Sequence, residues 1–159
     1  MRRCFGLTLL FILTLPSTMS TLTGRAASVQ EGAKTALQSN KIIAFVATAD
    51  AKRARAYYEG TLGLRLLSDE PFALVFDANG TMLRIAKVGK LTPAAYTVLG
   101  WEVGDIRAVV PELKKRGVVF EVIRGFEQDD LGVWTAPDGT KVAWFKDPDG
   151  NTLSVTQFP

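Results

Sequence analysis

At 159 residues and 47% hydrophobic content, the chain is long enough to bury one core and too apolar to remain disordered. It holds no histidine and one cysteine, Cys4, which excludes a Ser-His-Asp triad, a histidine base and any His-ligated metal. The net charge of +3 comes from Arg2, Arg3 and Arg25; beyond residue 26 there are 16 basic and 16 acidic residues, which leaves no electrostatic case for nucleic acid.

The N-terminal residues 1–26 have the layout of a secretory signal peptide. Arg2 and Arg3 precede an apolar run at residues 4–16, and Gly24 and Ala26 suit the −3 and −1 positions of cleavage. The expectation is export to the periplasm or the extracellular space, with an uncleaved N-terminal anchor as the alternative. No window has the roughly 18 consecutive apolar residues that a membrane span requires. With Cys4 in the leader, the remaining chain has no thiol nucleophile or disulfide.

Residues 27–40 read as a polar lead-in, and residues 41–159 as a single domain. The apolar run at 41–49 is of strand length, Asp50 is a helix N-cap, and a helix follows at 51–59 with Gly60 and Gly63 near its end. Strands are predicted at 64–68, 72–77 and 81–88, with Asn79-Gly80 as a hairpin turn. After a linker at 90–95 the pattern returns. A strand at 96–103 leads to a second N-cap at Asp105 and a helix at 106–116, in which Pro111 should bend the helix or delay its start. Strands at 118–123 and 132–135 follow, and then a hairpin at 141–157 closed by Asp147-Pro148-Asp149-Gly150. In its last strand Thr152, Ser154 and Thr156 share one face, a polar uncharged row where a ligand is expected to meet the protein. Asp50 and Asp105 lie 55 residues apart in equivalent places, so the chain reads as two copies of one β-α-β-β-β unit, at about 41–89 and 95–157.

Three motifs now carry a resemblance: Asp50…Arg55-Ala56-Tyr57-Tyr58-Glu59…Leu62-Gly63-Leu64, Gly100-Trp101-Glu102-Val103-Gly104-Asp105, and Asp147-Pro148-Asp149-Gly150-Asn151. In this order and spacing the chain resembles the vicinal oxygen chelate superfamily, which includes glyoxalase I, extradiol dioxygenases, fosfomycin resistance proteins and bleomycin-binding proteins. The resemblance implies an α+β fold, paired βαβββ modules whose mixed sheet curls into an open cup, often completed by a homodimer. It also implies a divalent metal in the cup. Carried across one at a time, the family's ligand positions fall here on Ile43, Val98 and Ser154, and the ligand added in glyoxalases at or near Arg84. Two aliphatics, a hydroxyl and a guanidinium cannot hold a divalent ion, so no metal cofactor is expected.

Arg84 is read as a contact for a carboxylate, phosphate or enolate oxygen, or else as the partner of Asp77 or another carboxylate. Trp144 falls where glyoxalase-like members line an apolar pocket; Phe45 shares a face with Ile43, and Ser154 and Thr156 are candidate donors on the floor. Glu102 is the candidate general base if it is buried near Arg84, and otherwise a solvated or ion-paired carboxylate. The acidic residues Glu127, Asp129 and Asp130 mark a loop that can act as a lid over the cup entrance. The leading expectation is an exported protein binding a small apolar or aromatic molecule, neutral or anionic, between Trp144, Phe45 and Arg84 in a metal-free cup. The alternatives are a glyoxalase-type lyase or isomerase, or a dioxygenase-like enzyme, acting on a small carbonyl or aromatic substrate.

Overall fold

The computed structural model describes residues 37–159, of which Lys41–Pro159 form one compact unit. The leader at 1–26 and most of the lead-in at 27–40 lie outside the described residues. Among those described, no helix is long and apolar enough to cross a membrane.

Apolar alternation places the first strand, β1 (Ile43–Thr48), with Val46 and Thr48 buried on one face and Ile43 and Phe45 open on the other. Asp50 then caps α1 (Ala51–Arg55), its carboxylate accepting from Arg53 N at 3.0 Å. The expected α-helix to residue 59 departs from regularity here. From Ala56 to Thr61 the chain widens into a π-helical turn, and Leu62 N donates to Tyr57 O at 2.9 Å. Two successive tyrosines of this turn, Tyr57 and Tyr58, reach the second half of the chain.

The strands β2 (Arg65–Asp69), β3 (Ala73–Ala78) and β4 (Thr81–Lys87) complete the first module. Asn79 and Gly80 both take positive φ, 53° and 85°, as a tight two-residue hairpin demands. The second module repeats the plan with β5 (Thr97–Glu102), α2 (Ile106–Lys115), β6 (Trp134–Thr135), β7 (Lys141–Lys146) and β8 (Thr152–Gln157). Pro111 lies inside α2, and the helix nonetheless begins directly after its cap Asp105.

The two sheets have the same order, β1-β4-β3-β2 and β5-β8-β7-β6, with the first strand of each parallel to its neighbour and the remaining pairs antiparallel. One face of each sheet builds a common core, with Tyr58, Phe76, Leu83 and Ile85 from the first module and Ile106, Val110, Phe145 and Leu153 from the second. The other faces line an open, curled cup.

The strand expected at 118–123 does not form. This segment touches the sheet through one bridge, Phe120 to Phe145, and through Glu121 N donating to Trp144 O at 2.7 Å. The side chain of Gln128 takes the place of a neighbouring strand. Its Oε1 accepts from Ile123 N at 2.6 Å, and its Nε2 donates to Glu121 O at 3.0 Å and to Gly132 O at 2.7 Å. With these backbone groups satisfied by one amide, Val118 turns inward while Val119 and Val122 stay exposed.

The turn between β7 and β8 joins the modules. The buried Asp147 carboxylate accepts from Tyr58 Oη at 2.8 Å, Asn151 Nδ2 at 2.8 Å, and the backbone N–H groups of Asp149 and Asn151, both at 2.9 Å. Asn151 Nδ2 also donates to Ala47 O at 2.9 Å, and Asp149 accepts from Thr48 Oγ1 at 2.6 Å and Ala49 N at 3.1 Å. Tyr57 Oη donates to Lys146 O at 3.1 Å.

Replacing Asp147 with alanine strands several buried donors, and a loss of about 3 kcal/mol or more is expected in chemical denaturation. Tyr58→Phe removes one donor and should cost about 1–2 kcal/mol. Burial, and next the charge of Asp147, hold the Tyr58 phenol well above the ordinary tyrosine value. Burial also pushes Tyr57 up to about 12. Their contribution to stability is therefore complete below pH about 10 and is lost as pH rises through the folded values, because the unfolded chain releases these protons first. Denaturation midpoints measured from pH 8 to 11.5 should fall above pH about 10, and less steeply in Tyr58→Phe.

Candidate functional site

Strand register decides what lines the cup. In the second sheet Ser154 lies between Gly100 and Trp144, and Thr156 between Glu102 and Val142. These residues share the face opposite the one that carries Leu153 and Val155, as the alternation of β8 requires. Ser154 is only 5% exposed and is seated against Gly100, where an added Cβ would lie 2.8 Å from its Oγ. Gly100 thus leaves room for the hydroxyl. On the far face Gln157 serves the fold, its Oε1 accepting from Ile106 N at 3.0 Å.

Trp144 stands over this floor with its indole Nε1 donating to Thr97 Oγ1 at 3.1 Å, which fixes the ring's orientation. Phe126 packs against it at a centroid distance of 5.5 Å, Trp134 lies 6.1 Å from it, and Phe126 and Trp134 meet edge to face at 4.8 Å. Beside the cluster opens a cleft of about 690 Å³ whose lining includes Tyr96, Thr97, Phe126, Trp144, Lys146 and Thr152. Lys146 is paired across it with Glu121 at 3.6 Å. The arrangement offers flat apolar walls with a few polar groups at the rim.

The first sheet supplies a different surface. Register runs one row straight across it: Ser68, Val75, Arg84 and Phe45. Phe45 is 60% exposed and Ile43 46%. The Arg84 guanidinium pairs with Glu70, Nη2 to Oε2 at 2.7 Å, while Asp77 is taken by Arg65 at 2.9 Å. Neither Arg84 nor Phe45 lines the cleft beneath Trp144. Glu102 is exposed at the end of β5, and the Arg84 guanidinium is occupied by Glu70 rather than by it.

The acidic loop is bound to the fold. Asp129 accepts from Leu131 N at 3.0 Å and Val133 N at 2.9 Å and pairs with Arg107 of α2 at 2.6 Å. Burial pushes the Asp129 carboxyl up, but these backbone donors and Arg107 outweigh it and hold the group below the usual range.

The positions that the resemblance implies for metal ligands carry Ile43, Arg84, Val98 and Ser154, a donor set that does not fit a divalent ion. Val98 sits at an irregularity in the pairing of β5 with β8 and packs on the core. Among the described residues no three Asp, Glu, Cys or His side chains converge.

Residues 41–155 match the family model of the Glyoxalase/Bleomycin resistance protein/Dioxygenase superfamily, and the chain belongs to that family. A lactoylglutathione lyase from Agrobacterium tumefaciens superposes with a TM-score of 0.56 at 19% identity, over 75% of this chain and 93% of that one. A glyoxalase/bleomycin resistance protein/dioxygenase from Nocardioides does so with 0.59 at 17%, over 83% and 92%. A glyoxalase/bleomycin resistance protein from Catenulispora acidiphila gives 0.56 at 24%, over 75% and 98%. At these identities the likeness is one of fold. No curated relative matches the chain in sequence.

Phe126, Trp134, Lys146 and Glu70 were not singled out by the sequence reading. Trp134 had a usable signal: an edge strand beside β7 puts it opposite Val142, two residues from Trp144. Phe126 lies in a loop without periodicity, held by its own bond to Ile123 O at 3.2 Å and by the bonds of Gln128 and Asp129. Gln128→Ala should therefore accelerate amide exchange across residues 121–132 and lower stability by about 1–3 kcal/mol, as measured by hydrogen exchange and denaturation.

Proposed function

We propose that this chain is an exported binding protein that holds a small planar aromatic molecule in the cup without a metal. One observation carries the reading: three aromatic rings converge beside a cleft of about 690 Å³, a size suited to a drug-sized ligand. A planar ligand stacks on the Trp144 indole, whose orientation is held by Thr97, while Thr152 and Lys146 supply polar contacts at the rim. Arg84 and Phe45 stand on the first sheet's half of the cup and receive a charged substituent where the ligand has one. The donor set at the inherited metal positions supports a site that works by stacking and hydrogen bonding. Sequestration rather than turnover is then the activity, since the candidate base Glu102 is exposed and has no pairing with Arg84.

In a thermal-shift screen of planar aromatic compounds, a binder should raise the midpoint progressively with its concentration. Trp144→Ala should weaken that binder by about 10–100-fold, in line with the loss of one stacking wall. A stoichiometric divalent metal retained by the purified protein after dialysis would sink the metal-free part of the reading. Turnover of a bound compound that disappears in Glu102→Gln would replace sequestration by catalysis.

A further inference from the structure

The cup face of the first sheet carries one ion pair that involves Arg84. Arg84 reaches from β4 to Glu70, a residue of the turn between β2 and β3, and its row neighbour Val75 is buried. On the neighbouring strand Phe45, 60% exposed, is the register partner of Arg84. The contact to Glu70 is a single one through Nη2, although a guanidinium carries five N–H donors in a fork that suits a bidentate carboxylate. The pair also remains open to water, with side-chain exposures of 26% for Arg84 and 40% for Glu70.

Glu70 is held from behind. Its Oε1 accepts from Ser68 Oγ at 3.0 Å, and its carbonyl oxygen accepts from Lys87 Nζ at 2.6 Å, the same ammonium that bonds Asp69 Oδ1 at 2.6 Å. The turn is anchored through its backbone and through Asp69, so the Glu70 carboxylate can leave Arg84 without the turn coming apart. Hydrogen bonds from Arg84 and then Ser68 hold the Glu70 carboxyl below its usual range, which keeps it ionised at neutral pH.

We propose that Glu70 is a built-in competitor for the anion position of the cup and determines which ligands can use Arg84. Access to the guanidinium requires the ligand to present an anion that replaces the Glu70 carboxylate, one carboxylate exchanging for another. A flat ligand carboxylate lying along Phe45 engages Arg84 through two N–H groups where Glu70 uses one, and so outcompetes it. A neutral group does not displace Glu70. The proposal rests on the reading of the cup as an aromatic-ligand site.

Two matched probes separate that reading from this one: naphthalene-2-carboxylate and its neutral analogue naphthalene-2-carboxamide. They are titrated calorimetrically against the whole protein and against Glu70→Gln and Arg84→Met, each checked for unchanged circular dichroism. Glu70→Gln should bind the carboxylate at least about tenfold more tightly and the amide with unchanged affinity, since only the anion competed for a charged hydrogen bond. Arg84→Met should abolish any preference for the carboxylate. If the amide binds and Glu70→Gln leaves the carboxylate affinity within about twofold, the competitor role is wrong while the cup reading stands. If neither probe binds any of the three proteins, the cup reading fails and takes the competitor role with it.

Discussion

The buried Asp147 carboxylate organises the turn that ties the two halves of this protein together. It is buried, and a buried charge is tolerated only when donors surround it. Four hydrogen bonds reach it: two from backbone N–H groups of its own turn, one from the Asn151 amide and one from the Tyr58 hydroxyl of the other module. The Asp-Pro-Asp-Gly-Asn turn is therefore more than a reversal between two strands. Asp149 and Asn151 extend it to Thr48, Ala49 and Ala47, so the end of β1 and the start of α1 are tied to the second sheet by polar bonds.

The π-helical turn belongs to this same joint. An unbroken α-helix separates successive residues by about 100° around the axis, which sends neighbouring side chains in different directions. In the widened turn at Ala56–Thr61, Tyr58 meets Asp147 while Tyr57 meets the Lys146 carbonyl. With the modules held from the core side, the inside of the cup is free to vary. Aliphatic, hydroxyl and guanidinium side chains occupy the positions that the resemblance implies for metal ligands, and the scaffold folds around them.

Much of this architecture could be read from the chain. Asp50 and Asp105 cap helices because a short carboxylate followed by helix formers leaves the backbone N–H groups little alternative. Asn79-Gly80 and the last hairpin could be placed from turn chemistry, and the alternation in β8 sorts its side chains correctly between the two faces. Alternation does not reveal what a strand will pair with. Residues 118–123 have the composition of a strand, but a glutamine five to seven residues further on bonds Ile123 N and Glu121 O in place of a neighbouring strand. The site was legible only in part. Trp144 could be found by its place in the last hairpin, whereas its ring partners come from a loop and a two-residue strand. Arg84 was found, but its engagement with Glu70 depends on the reach of one side chain from a turn, which no local pattern encodes.

The strand order has a mechanical corollary. The modules adjoin near β1 and β5, each the first strand of its sheet, and the Asp147 joint reinforces that side. The outermost strands, β2 and β6, are at the far lips of the cup. The lip at β6 is only two residues wide and carries Trp134, with Phe126 beside it on a loop held by the side chains of Gln128 and Asp129. Adaptation to molecules of different girth is therefore concentrated at that lip, while the seam between the modules keeps its shape.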